Sequence, residues 1–426
     1  MAQGDRTPNE LTSYVSDNLR GDPGTTCVLK LERPTADSTY IPMELKITRG
    51  TIRTNPVPYY GMVDKNIGYI AISTFAIEGC SKDIKKALIE LKQQGATSIV
   101  LDLRGNGGGL LSEAVNVVNF FVPKGKEIVV TKGKIKQAGS TYKTSNEPID
   151  MEIPLTVLVD GATASAAEIV SGSLQDLDRA VIVGNRTYGK GLVQVPRELP
   201  YNSSMKVTTA KYYIPSGRCI QAIDYAKRNA DGSVARIPDS LTTVFHTAAG
   251  REVRDGGGIR PDVEVKAERF PNIMFYLLND DMIFDYATQY CIKHPNIGEV
   301  KDFSVTDADY DDFKQMLKKR NFTYDRQSEK SLKNLKEIAE FEGYMEGASE
   351  EFAALEKKLT HNLDHELNRF SKQIRKAIAE EIVKRHYFQR GVILERMKDD
   401  ADLTKAIETL KDKEGYTKIL SVPADK

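Results

Sequence analysis

Apolar runs and polar breaks divide this chain into three stretches of different character. In residues 51–266, short apolar runs alternate with stretches of helical spacing. Strand-like runs fall at 67–75, 98–103, 127–131, 155–159, 180–184 and 206–213, and the run at 98–103 has the pattern of a buried strand. Ile84, Ala87, Leu88 and Leu91 share one face of a helix predicted over 81–93, and a second helix is predicted over 110–121. This alternation predicts an α/β sheet domain. Asp255, three glycines and Pro261 punctuate its end.

The flanks differ. Residues 1–50 read as a short α+β piece, with a helix over 9–19 ended by Gly21 and two paired strands over 25–31 and 43–48. Fifty residues are thin for an independent core. In residues 267–426 the character changes, and from about 328 to 411 Glu, Lys, Ala and Leu recur with helical spacing while glycine and proline become sparse. The reading is three regions: 1–50, 51–266 and 267–426.

Composition narrows the function classes. The chain of 426 residues carries 60 basic and 60 acidic side chains, so no global basic field invites nucleic acid. No apolar run approaches the ~20 residues of a membrane span. The start, MAQGDRTPNE, has no charged-then-apolar export pattern. Cys27, Cys80, Cys219 and Cys291 are far apart with no C-x-x-C pair, which argues against a zinc ribbon or a dithiol redox site. Ordinary free thiols are expected, with one or two disulfides as the other option.

Three segments of the middle region have chemical character. The first, DLRGNGGGL at 102–110, runs from a strand through a glycine-rich turn into a helix. Such a turn can point N–H groups into a cavity. The second, TASAAE at 163–168, delivers Ser165 to the start of a helix. The third, TYGKGLVQ at 187–194, delivers Lys190, 25 positions after the serine. A nucleophilic serine needs a base, usually histidine. No histidine precedes His246, so Lys190 is the economical candidate. Lysine acts as a base only where apolar surroundings disfavour its charged form, and Tyr188, Leu192 and Val193 can supply such walls.

Taken together, these segments resemble the tail-specific, or C-terminal processing, serine peptidases of the S41 type. The match covers roughly residues 15–266. It includes LRG at 19–21, GYIAI at 68–72, PSGR at 215–218 and GIRPD at 258–262, in the family's order and spacing. The resemblance implies a crotonase-like (ClpP-like) α/β peptidase core, with Ser165 as nucleophile, Lys190 as general base and Gln194 positioning the lysine. It implies an oxyanion hole from the N–H of Ala166 and a glycine of the 107–109 turn, Gly108 and Gly109 being the candidates. No metal or cofactor is implied. The expected activity is endopeptidase cleavage of unfolded or flexible polypeptides near their C-termini through an acyl-enzyme. Expected partners are polypeptides with exposed C-terminal tails, with room for a homo-oligomer or a regulatory adaptor. The expected setting of the full-length protein is the periplasm or cell envelope.

Some features depart from the family pattern. The usual S-A-S-A-S-E reads T-A-S-A-A-E, with Thr163 and Ala167 in place of flanking serines. Residues 7–48 resemble only the second half of the PDZ domain that members carry before the core, so the resemblance implies a truncated piece. The helical region after 267 lies outside the resemblance. A non-catalytic peptide-binding or adaptor protein on the same scaffold is the alternative reading.

Other patterns lead elsewhere. Gly105 and Gly107 follow a strand as in a dinucleotide fingerprint, but its third glycine would fall at Leu110. STYK at 140–143 and SDN at 16–18 occur in the wrong order for a penicillin-recognising enzyme. His361 and His365 have metal-compatible spacing among charged neighbours, which favours an exposed helix face. Glu168 is expected to brace the start of its helix.

Overall fold

The computed structural model describes residues 8–35, 39–134, 139–228, 234–266, 268, 270–324, 326–359 and 362–421. The chain forms two compact units, one of Thr54–Ala267 with Asp399–Lys426, the other of Met1–Arg53 with Glu268–Lys398.

The first unit is a mixed α/β structure built on a six-stranded sheet. Its strands are β1 (Tyr59–Asp64), β2 (Ile67–Ala71), β3 (Ser98–Asp102), β4 (Leu155–Val159), β5 (Val181–Gly184) and β6 (Val263–Glu264), adjacent in that order. β1 pairs antiparallel with β2 and every later pairing is parallel. Helices α1 (Cys80–Gln93), α2 (Leu111–Asn119) and α3 (Ala166–Asp176) are crossover helices between successive strands. A four-stranded antiparallel sheet of Glu127–Gly133, Ser140–Lys143, Leu192–Leu199 and Ser203–Tyr213 belongs to the same unit.

Burial explains why the central parallel strands are mostly apolar. Ile99 and Leu101 of β3 and Leu155, Val157 and Val159 of β4 join one cluster with Ile84 and Leu88 of α1, Val117 of α2 and Val170 and Leu174 of α3. Side chains alternate across a strand. Val100, Leu158, Val181 and Val183 are buried outside that cluster, on the other face. Two terminal helices, α4 (Ala401–Lys411) and α5 (Lys413–Leu420), pack on β4, β3 and β5. α4 buries Leu403, Ala406 and Leu410, and the Tyr416 hydroxyl of α5 pairs with both the N–H and the carbonyl of Leu155. Of the helical region read from 267 to 426, the last two helices group with the sheet.

The second unit begins with a helix, Pro8–Leu19, and a two-stranded hairpin, Thr26–Pro34 with Tyr40–Thr48. Arg49 fastens helix to hairpin by donating to the carbonyls of Leu19 at 2.8 Å and Asn18 at 2.8 Å. No residue before Val57 belongs to the buried apolar core among the described residues. The core of this unit is helical and lies between Ile273 and Val383, where Phe313, Leu317, Ile374, Ile378 and Ile382 are fully buried.

These burial patterns predict unequal costs for apolar truncation. Leu101→Ala opens a cavity in the sheet cluster and should lower unfolding free energy by about 2–5 kcal/mol in urea titration. Val28 is 47% exposed, so Val28→Ala should change it by less than about 0.5 kcal/mol. The reverse order would place the core elsewhere.

Candidate active site

The three segments singled out in the sequence leave the carboxyl ends of three neighbouring parallel strands. The glycine turn follows β3, the Ser165 turn follows β4 and the Lys190 loop follows β5. In an open α/β sheet this edge is where ligands bind, because loops there diverge into a crevice.

Ser165 sits immediately before α3 with φ 56° and ψ −118°, conformations that a residue with a Cβ rarely adopts. Its N–H donates to Glu168 Oε2 at 2.9 Å. That carboxylate is fully buried and accepts three further hydrogen bonds: from the Thr187 hydroxyl at 2.5 Å, the Gly189 N–H at 2.7 Å and the Lys190 N–H at 2.9 Å. Glu168 therefore does more than brace its own helix, since it ties the serine turn to the lysine loop. Burial pushes its carboxyl above the ordinary range, against the downward pull of its donors.

A second bridge acts through carbonyls. The Tyr212 hydroxyl, buried beneath the loops, donates to the carbonyl of Lys190 and lies 3.3 Å from that of Ser165. Burial and the nearby Glu168 push this phenol well above its usual value, so it keeps the proton that it donates. Ser165 and Lys190 are thus joined through main-chain N–H and C=O groups alike.

The glycine turn closes from the side. A Cβ on Gly108 would lie 2.7 Å from the Ala164 carbonyl oxygen and 2.8 Å from both the Ala166 nitrogen and Ser165 Cβ. Only glycine permits this approach, and its φ of +96° points the same way. The Gly108 N–H donates to Asn106 Oδ1 at 2.9 Å, while Asn106 Nδ2 donates to the Ile72 carbonyl at 2.8 Å. Among the described residues, no hydrogen bond engages the N–H of Ala166 or of Gly109. Of the three expected oxyanion donors, Gly108 is therefore occupied here and the other two are unengaged.

Lys190 is half-buried and, with Gln194, lines a cleft of ≈ 600 Å³ whose walls include Tyr188, Leu192, Gln221 and Tyr225. Gln194 is exposed, beside a register shift in its strand. No hydrogen bond joins Ser165 Oγ to the Lys190 amine among the described contacts. Sequence reasoning missed Tyr212 and Gln221. The buried Gln221 accepts from the Gly191 N–H at 2.8 Å and donates to the Ile223 carbonyl at 3.0 Å, which fixes the far side of the lysine loop. Neither carries a local signal, because its role depends on a loop distant in sequence. Among the described residues no three His, Cys, Asp or Glu side chains converge as metal ligands. His365 is exposed, and His361 lies outside the described residues.

Comparison with known proteins gives matches to peptidases. Residues 66–227 match the profile of peptidase family S41, and residues 273–410 match that of the C-terminal helical domain of probable PDZ-proteases. The carboxy-terminal-processing protease of Bartonella bacilliformis is 37% identical over 226 residues, 52% of this chain and 50% of its own. The carboxyl-terminal-processing protease of a Picosynechococcus species is 40% identical over 200 residues, 46% of each chain. The carboxy-terminal processing protease CtpA of Bacillus subtilis is 36% identical over 202 residues, 47% of this chain and 42% of its own. Residues 66–227 thus resemble peptidase family S41, and these relatives are its C-terminal processing members. The chain spans about half the length of the curated relatives it matches.

The Glu168 bridge yields a direct test. In Glu168→Gln an amide N–H₂ replaces one acceptor and faces buried N–H donors. Stability should fall by about 1–3 kcal/mol per donor left unpaired, read by urea denaturation. An unchanged midpoint would show that the carboxylate is not the tie between the loops.

Proposed function

We propose that this chain is a serine endopeptidase that cleaves unfolded or flexible polypeptides near their C-termini. The observation that carries the reading is that the N–H groups of Ser165 and Lys190 share one carboxylate oxygen of Glu168, beside the cleft that Lys190 and Ala164 line. Ser165 Oγ attacks the scissile carbonyl carbon as its proton passes to the Lys190 amine. The negative charge developing on the carbonyl oxygen is stabilised by the Ala166 N–H at the start of α3 and by an N–H of the glycine turn. The protonated lysine then hands its proton to the leaving amine, and an acyl-enzyme on Ser165 remains. Water, deprotonated by Lys190, attacks the ester carbonyl, and the lysine returns that proton to Ser165 Oγ as the ester bond breaks. Gln194, on the same cleft wall, orients the amine. The lysine side chain has to turn onto the serine for this chemistry, a tightening common when substrate enters an empty site.

The cleft walls favour uncharged side chains, in keeping with small or apolar residues near the substrate's end. The same reading assigns a crotonase-like core, a partial PDZ-like piece before it, and a periplasmic or cell-envelope setting. Homo-oligomers or an adaptor are compatible with it. A non-catalytic peptide-binding role is favoured by one observation, the missing hydrogen bond between Ser165 Oγ and Lys190.

Digestion of an unfolded protein by the chain and by Ser165→Ala and Lys190→Ala separates the two. We expect cleavage by the parent and a loss of at least about 10³-fold in each variant. A serine-directed covalent probe should label Ser165 only when Lys190 is present. Cleavage surviving Ser165→Ala would overturn the reading, and a parent that neither cleaves nor labels would favour the binding role.

A further inference from the structure

One arginine beside the glycine turn reaches beyond the region that matches the peptidase family. Arg104 gathers three carboxylates around a guanidinium that is only 21% exposed. Asp102, at the end of β3, accepts from its Nε at 3.0 Å and its Nη2 at 2.6 Å. Asp400 takes both terminal nitrogens, Nη2 at 2.6 Å and Nη1 at 2.9 Å. Asp402 accepts from Nη1 at 3.1 Å. The two-pronged Asp400 contact is the geometry in which a planar guanidinium fixes direction as well as charge.

Asp400 has a second task. Its Oδ1 accepts the Leu403 N–H at 3.0 Å and so caps α4. A single side chain thereby starts the terminal helix and grips Arg104. Packing of Leu403, Ala406 and Leu410 sets where that grip lies over β3 and β4.

Arg104 immediately precedes the glycine turn. The Gly105 N–H donates to Asp160 Oδ1 at 3.0 Å, and the turn then runs to Gly108 against Ser165. At its far end Phe75 donates to the Gly108 carbonyl at 2.9 Å and accepts from the Leu110 N–H at 2.8 Å. A turn of glycines has no side chains of its own to hold it, so its anchors set its position. Tyr69, which donates to Asp102 at 2.6 Å, and the three carboxylates make up the near anchor.

We propose that α4 is a positioning element of the active site, with Asp400 and Asp402 acting through Arg104 to hold the glycine turn against Ser165. The proposal rests on the peptidase reading. On this view the site is incomplete without a helix nearly 300 residues away in sequence (|i−j| 296 for Arg104 and Asp400).

The test uses the full chain and the variants Asp402→Asn, Asp402→Glu and Asp400→Asn with Asp402→Asn. Asparagine keeps the helix cap but removes the charge. Hydrogen exchange of a peptide covering 103–110 should quicken in the double variant. Its kcat should fall about tenfold at unchanged KM, the loss expected of a slightly displaced site. Asp402→Glu should recover most of the activity. Leu91→Ala, which opens a cavity under α1 and leaves α4 and its carboxylates intact, is the control for stability and should spare kcat. Unaltered exchange and kcat in the double variant would overturn the proposal, as would an equal kcat loss in Leu91→Ala. Should the double variant not fold, Asp402→Asn decides, with the same signs at smaller size. Hydrogen exchange reads the grip without any cleavage, so its outcome stands apart from the Ser165→Ala result that judges the peptidase reading.

Discussion

A single buried carboxylate organises the site. Glu168 lies one turn into α3 and receives N–H groups from Ser165, Gly189 and Lys190 and the hydroxyl of Thr187. A carboxylate in an apolar interior is costly unless its lone pairs are filled. Here they are filled by the main chain of the two loops that it must align, so the requirement for satisfaction becomes a requirement for registration. Moving either loop would strand the charge. Tyr212 repeats the logic with the opposite groups, giving its proton to the Lys190 carbonyl with the Ser165 carbonyl 3.3 Å away. Between them the two side chains hold both the donors and the acceptors of Ser165 and Lys190.

The strained backbone of Ser165 depends on the same arrangement. A positive φ at a residue with a Cβ costs about 1–3 kcal/mol and persists only where the surroundings over-determine it. Three contacts do so: Glu168 from the helix, Tyr212 from below and Gly108 from the side. The turn that supplies Gly108 is held by two bonds from the turn after β4, from the Ala164 N–H to the Asn106 carbonyl and from the Thr163 hydroxyl to the Leu103 carbonyl. The serine is therefore placed by packing of main chain on main chain, which explains why small residues crowd positions 161–167.

Much of the sheet could be read from sequence because its strands are buried on both faces. The runs at 98–103 and 155–159 are apolar but for Ser98, Asp102 and Thr156, which are themselves buried, and the strands β3 and β4 fall within them. The strand at Leu192–Leu199 escaped, since most of its residues are exposed and Pro196 interrupts its pattern. β6 escaped as well, being a two-residue edge strand. For the helices after 400, spacing of Leu403, Ala406 and Leu410 announces an apolar stripe but cannot name the surface that it meets. The site divides along the same line. Ser165, Lys190 and the glycine turn carry local patterns, whereas Tyr212, Gln221 and the reach of Glu168 to a loop twenty residues on exist only in three dimensions.

The chemistry of the donors that satisfy Glu168 has a consequence for the lysine. An acidic side chain so close to a lysine would ordinarily seek its ammonium, and an ion pair favours the charged amine. Here the carboxylate takes the main-chain N–H of Lys190 instead, and its remaining positions are filled by a hydroxyl and two other main-chain donors. No ion pair to the Lys190 amine forms among the described residues. The side chain is left to the cleft, as the proposed pairing with Ser165 requires. Alignment of the two loops and freedom of the amine therefore follow from one choice of hydrogen-bond partners. For the proposed serine–lysine chemistry, a glutamate that braces the backbone serves better than one that reaches the lysine head.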